Sequence, residues 1–168
     1  MADGKAVVGV VLGSDSDLET MQRCLDQLKN FGIEYELRVI SAHRTPVAAH
    51  EYAATACDRG LKIIIAAAGM SAALAGVMAA NTTLPVIGVP MSAGPLVGVD
   101  AALSTLQMPP GVPVAAMAIG AAGASNAAIL AAEILALGDA ALAGKLRQFK
   151  ETQAAIVMQK DAALRPKP

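Results

Sequence analysis

The segment Ser41-Ala42-His43-Arg44-Thr45-Pro46 sets an imidazole beside a guanidinium. Imidazole is the side chain best suited to move protons near neutral pH. Guanidinium is the one best suited to grip a phosphate or carboxylate. The segment follows an alternating run, Glu34 to Ile40, and precedes a helix-like run opened by Pro46. The pair therefore falls at a strand-to-helix junction, which favours chemistry on a small anionic substrate. A surface histidine beside a solvated arginine is the plainer alternative, and this location weighs against it. The chain's other histidine, His50, lies inside the following helix without an evident partner and reads as structural.

Two further loops have the composition of a site. Gly13-Ser14-Asp15-Ser16-Asp17 follows a valine-rich run and opens a helix. Hydroxyls and free amides at such a start bind phosphate, and a carboxylate there accepts hydrogen bonds from ribose hydroxyls. Ordinary helix capping explains the same residues. The loop lacks the lysine of a Walker A motif and the three glycines of a dinucleotide fingerprint. The third loop, Ala67 to Gly76, carries almost no polar side chains. Its backbone amides can hold a carboxylate and its alanines can line a small dry pocket; close helix packing is the alternative.

These loops need a frame that brings them together. Strands are expected at 6–12, 34–40, 61–67, 85–89 and 113–119, each a short apolar or alternating run. Helices are expected at 17–31, 46–59, 71–80, 99–106, 124–137 and 139–160, with capping residues or Pro at several starts and Gly after several ends. Strands alternating with helices predict an α/β fold, a doubly wound parallel sheet between helix layers. In such sheets ligands bind beyond the carboxyl ends of the strands. All three loops, and a fourth from Pro90 to Gly98, fall there.

At 168 residues the chain suits a single domain, its core over about 6–137. The last helix has no strand partner, so it packs on that core or on a neighbouring subunit. Hydrophobic residues are 55% and charged residues 16%, an apolar excess that predicts burial between subunits. A net charge of −1 and 2% aromatics exclude the basic stripes and stacking platforms of nucleic-acid binding. Residues 1–5 lack the order of a signal peptide, and the tail 165–168 is expected to be disordered. The apolar stretch Ile63 to Ala80 is divided by Gly69, Ser71 and Gly76, so it reads as two short elements and not a membrane span. Cys24 and Cys57 fit no metal or redox spacing and read as reduced thiols.

Taken together, four stretches resemble the aminoimidazole ribonucleotide carboxylase family of purine biosynthesis. They are Gly13 to Asp17, Ser41 to Pro46, Leu84 to Pro90, and Gln107-Met108-Pro109 with Gly111 to Val114. Gly120 to Leu135 resembles the family's alanine-rich helix, and the likeness runs collinearly from about Val7 to Leu137. It is closer to the small prokaryotic mutase branch. The resemblance implies a three-layer, flavodoxin-like fold, a homo-octamer with sites at subunit contacts, and no metal or organic cofactor; the reduced thiols point to the cytoplasm. It implies a small ribonucleotide substrate whose carboxylate moves from N5 to C4 of the aminoimidazole. By position, Ser14, Asp17 and Arg44 would bind the ribose phosphate, with Ser41 in support. His43 would be the general acid and base. Gly69, Met70 and Ser71 would hold the carboxylate through their backbone.

The chain departs from that branch at one place. Ala72-Ala73-Leu74-Ala75-Gly76 stands where the mutases usually read Ala-His-Leu-Pro-Gly. Two alternatives therefore stay open: direct carboxylation with free carbon dioxide, and a non-catalytic nucleotide-binding module in which His43 is incidental.

Overall fold

Runs of valine and isoleucine without polar alternation form strands buried on both faces. The computed structural model describes residues 5–165. Strands β1 (Val8–Leu12), β3 (Ile63–Gly69) and β4 (Val86–Met91) fill the sheet's centre, and β2 (Tyr35–Val39) and β5 (Ala115–Ala116) close its sides. All pairs are parallel in the order β2-β1-β3-β4-β5, the doubly wound flavodoxin-like arrangement.

Helices cover both faces. On one, α1 (Leu18–Phe31), α6 (Ala121–Ala136) and the first half of α7 (Ala140–Leu164) pack over Val8, Val10, Leu12, Ile63 and Ile65. On the other, α2 (Pro46–Ala54), α3 (Ala56–Arg59) and α4 (Leu74–Ala80) pack over Val11, Ile64 and Ala66. Helix α5 (Val99–Leu106) lies against β4. The buried face of α6 is almost all alanine, which lets it lie close against α1. Asp139 caps α7 by accepting from the amides of Ala141 and Leu142 at 2.9 and 3.0 Å.

Several expected boundaries move, each for a local reason. The helix expected over 46–59 breaks at Thr55, whose hydroxyl donates back to Glu51 O at 2.8 Å. Strand β4 runs through Pro90 to Met91 instead of stopping at Val89. Pro90 O accepts from Gly120 N, so the missing N–H points towards the side where β5 has already ended. The strand expected over 113–119 shrinks to two residues. Pro113 has no donor, and beyond Met117 the chain bends at Gly120 (φ 71°) into α6. The helix expected over 71–80 begins three residues late, because Met70 to Ala73 form tight turns of their own.

Leu142 and Leu146 of α7 are buried, and Phe149 meets Phe31 edge-to-face at 5.5 Å. From Glu151 onward every described residue of α7 is exposed. The helix runs to Leu164, past the expected end at 160, and Arg165 pairs with Asp161. The disorder expected beyond Arg165, and most of the amino-terminal reading, lie outside the described residues. The apolar stretch from Ile63 resolves into β3 and α4, and no described helix is long and apolar enough to cross a membrane. Both cysteines are free; burial pushes the Cys24 thiol up to about 12.

Candidate functional site

The strand order reverses between β1 and β3, and the loops leaving their carboxyl ends diverge there. The cleft they open has a volume of about 610 Å³. It gathers all eight residues singled out from the sequence: Ser14, Asp17, Ser41, His43, Arg44, Gly69, Met70 and Ser71.

After β1, the chain turns at Gly13 into a single 3₁₀ turn, Asp15–Asp17. Ser14 is its cap: the Ser14 Oγ accepts from the Ser16 amide at 3.3 Å and from the Ser16 hydroxyl at 2.8 Å. Asp17 is 8% exposed. Burial raises its pKa, a backbone hydrogen bond from Ser14 lowers it in part, and the neighbouring Asp15 charge raises it. Folding thus favours the protonated acid. The stability this group supports is fullest below its unfolded pKa and falls as pH rises through the folded value. Asp17→Asn is therefore expected to raise the urea midpoint at neutral pH, with the gain shrinking as the solution is acidified. Equal midpoints at neutral pH would refute this.

After β2, residues Ser41 to Thr45 form a closed turn. The Ser41 amide donates to Thr45 Oγ1 at 3.0 Å, and the Thr45 hydroxyl and amide donate to Ser41 O at 3.0 and 2.9 Å. Pro46 then starts α2 at a position that needs no amide donor. Arg44 is fastened three times. Its amide and Nε donate to Ser41 Oγ at 3.2 and 3.3 Å, and Nη2 donates to Gly13 O at 3.4 Å. The guanidinium thus joins the second loop to the first and faces the cleft as a cation. His43 is exposed, and among the described residues its side chain has no hydrogen bond.

After β3, Met70 takes a left-handed backbone, φ 56°. For a residue with a side chain this costs roughly 1–2 kcal/mol. The Ala72 and Ala73 amides close back on Met70 O and Ser71 O at 2.8 and 2.7 Å. This loop is pressed against the one after β4: a Cβ on Gly69 would stand 2.7 Å from Ala93 Cβ, so only glycine fits. Ala73, where the resemblance would place a histidine, lines the cleft with a methyl group.

Ser16, in the first of these loops, also lines the cleft, and sequence reasoning missed Ala93. Ala93 belongs to the fourth loop, Pro90 to Gly98, but an alanine carries no signal of its own. His50 has a partner after all, Asn81 Oδ1 at 2.6 Å, and lies outside the cleft lining. Among the described residues no three His, Cys, Asp or Glu side chains cluster as a metal site would require.

A parallel sheet with a cleft at its switch point defines a doubly wound α/β protein. Similarity to known proteins narrows the class. Residues 7–155 match the family model described as AIR carboxylase, and the chain belongs to that family. It is 52% identical over 153 residues to the N5-carboxyaminoimidazole ribonucleotide mutase of Bacillus subtilis, covering 91% of this chain and 94% of that one. To the mutase of Pyrococcus abyssi it is 51% identical over 148 residues, covering 88% and 84%. The crystal structure of Treponema denticola PurE superposes with a TM-score of 0.81 at 33% identity, covering 95% of this chain and 98% of that one.

Proposed function

We propose that this chain is an isomerase of purine biosynthesis that interconverts N5-carboxyaminoimidazole ribonucleotide and 4-carboxy-5-aminoimidazole ribonucleotide. The observation that carries the reading is the convergence of His43, Arg44, the Ser14–Asp17 loop and the Gly69–Ser71 loop on one cleft. The relatives that match most of the chain's length act on the same substrate by name.

In this reading Arg44 and Ser14 hold the phosphate, and Asp17 accepts from the ribose hydroxyls. The Gly69–Ser71 backbone receives the carboxylate, and Ser41 keeps Arg44 in place. Protonated His43 gives its proton to N5 as the N5–carboxylate bond breaks, which releases carbon dioxide and the free aminoimidazole. C4 then attacks the carbon dioxide, and the now neutral His43 removes the C4 proton. One proton is given and one recovered, so the cycle balances without an oxidant, a reductant or a metal. Retaining carbon dioxide beside the ring avoids a bimolecular encounter.

Ala73 in the cleft wall, where the mutases usually carry a histidine, leaves direct carboxylation of aminoimidazole ribonucleotide as a second reading. The test supplies purified protein with N5-carboxyaminoimidazole ribonucleotide, and separately with aminoimidazole ribonucleotide and bicarbonate. Efficient product from the first is expected. Efficient product from the second alone would establish the carboxylase reading instead.

The chain is further read as one domain that works in the cytoplasm as a homo-octamer. Support comes from the large apolar side chains left in solvent: Leu96, Val97, Val99, Leu103 and Leu106 around α5, and Ile156, Val157 and Met158 on the free half of α7. The first group adjoins the cleft through the Met70–Gly94 contact. Light scattering is expected to give eight times the chain mass; a monomer would contradict the assembly.

A further inference from the structure

Four residues on the helical face opposite α1 form a closed ring. Gly9 on β1 pairs across the sheet with Glu36 on β2. Glu36 Oε1 accepts from Arg59 Nη2 at 3.1 Å. The Arg59 guanidinium carbon lies 4.5 Å over the centre of the Tyr52 ring. The Tyr52 hydroxyl returns to Gly9, occupying the space that a Cβ there would need: the two atoms would be 2.3 Å apart. Arg59 also donates to Tyr52 O at 3.2 Å, and to Thr55 Oγ1.

The ring fixes the height of α2. Apart from Tyr52, the buried positions of α2 are Ala49 and Ala53, and α3 continues the face with Ala56. One bulky side chain among alanines decides how far such a helix stands from its sheet. Tyr52 is 5% exposed, and its hydroxyl makes no hydrogen bond among the described residues. Its length sets the distance from the sheet, and its hydroxyl is close enough to Glu36 and Arg59 to feel both.

That height reaches the cleft. The turn carrying His43 is bonded into the first turn of α2, since Thr45 O accepts from the Ala49 amide at 3.1 Å and Thr45 N donates to Ser41 O. Arg44 has its own fastenings to Ser41 and Gly13. The His43 side chain has none, so only the backbone aims it.

We propose that Tyr52, seated on Gly9 and held from outside by the Arg59–Glu36 pair, is a positioning residue that aims His43 at the substrate. The proposal rests on the reading of His43 as the acid–base group. A Cβ at Gly9 would stand 2.3 Å from the Tyr52 hydroxyl and 3.0 Å from Leu61 Cδ1; the buried Tyr52 would give by about 1 Å and carry α2 with it, and displacements of that size cost up to 10²-fold in rate.

The test is a double-variant cycle with wild-type protein and His43→Asn in the same assay. Gly9→Ala is expected to lower kcat between about tenfold and a hundredfold with KM within about twofold, because Arg44 keeps its own anchors. Adding Tyr52→Phe to Gly9→Ala removes the clashing oxygen. It is expected to restore kcat to within about threefold of Tyr52→Phe alone. The His43 imidazole NMR signal should move in Gly9→Ala and return in the double variant. Glu36→Gln, which only loosens the outer hold at a half-exposed pair, keeps the question open should Gly9→Ala fail to fold. It is expected to lower kcat about threefold at constant KM. Additive losses in the cycle with an unmoved His43 signal would overturn the proposal, as would an unchanged kcat in Glu36→Gln if that variant must decide. If wild type turns over and His43→Asn does too, the underlying acid–base reading fails instead.

Discussion

Asparagine at position 43 is expected to lower kcat by about 10²–10⁴-fold, the usual contribution of a positioned acid–base group. Asparagine keeps a polar side chain of similar reach but neither gives nor takes a proton at neutral pH. Both proton transfers in the proposed cycle run through the imidazole, so both directions of the isomerisation should fall together. Binding should survive, because the proposed phosphate contacts belong to Arg44 and Ser14, and His43 makes no hydrogen bond among the described residues whose loss would loosen the turn. Steady-state rates in both directions, with calorimetric binding of the 4-carboxy ribonucleotide, check this. A rate within tenfold of wild type would remove His43 from the mechanism. Retained binding by a protein that never turned over in the first place would favour the nucleotide-binding module.

Arg44→Leu is expected to act on KM. A hydrogen bond to a charged group contributes about 1.5–3 kcal/mol, which corresponds to a rise in KM of roughly tenfold to 150-fold. The substitution also cuts the tie between the second loop and Gly13 O. Some loss of kcat should follow from that slackness, smaller than the effect on KM. Arg44→Lys should recover only part of the affinity. An ammonium restores the charge, but its single nitrogen cannot reproduce the separate donations from Nε to Ser41 Oγ and Nη2 to Gly13 O. Rising salt should weaken the wild type more than Arg44→Leu. A KM unchanged in Arg44→Leu would mean that the phosphate lies elsewhere.

The frame was legible in the sequence because buried parallel strands announce themselves as unbroken Val and Ile runs, and the loops after them are where such folds bind ligands. The eight proposed residues therefore fell together without any knowledge of side-chain positions. What stayed hidden depends on contacts distant in sequence or on backbone that residue type does not signal. His50 and Asn81 are 31 residues apart. The left-handed turns at Met70 and Val97 sit on residues that ordinarily avoid them. Thr55 breaks a helix through a back-bond that many threonines make without ending one. Pro90 continues a strand because its partner has already stopped, a fact about β5 and not about Pro90.

Every residue that lines the cleft lies between Gly13 and Ala93. The chain after it contributes α5, β5, α6 and α7, and most of the large apolar side chains left in solvent. Chemistry and surface stickiness are thus inherited from separate stretches of the gene. Drift in the second stretch remodels who the protein sits beside, and it reaches the substrate only through the subunit contacts that border the cleft in the proposed octamer. Drift in the first has far less room.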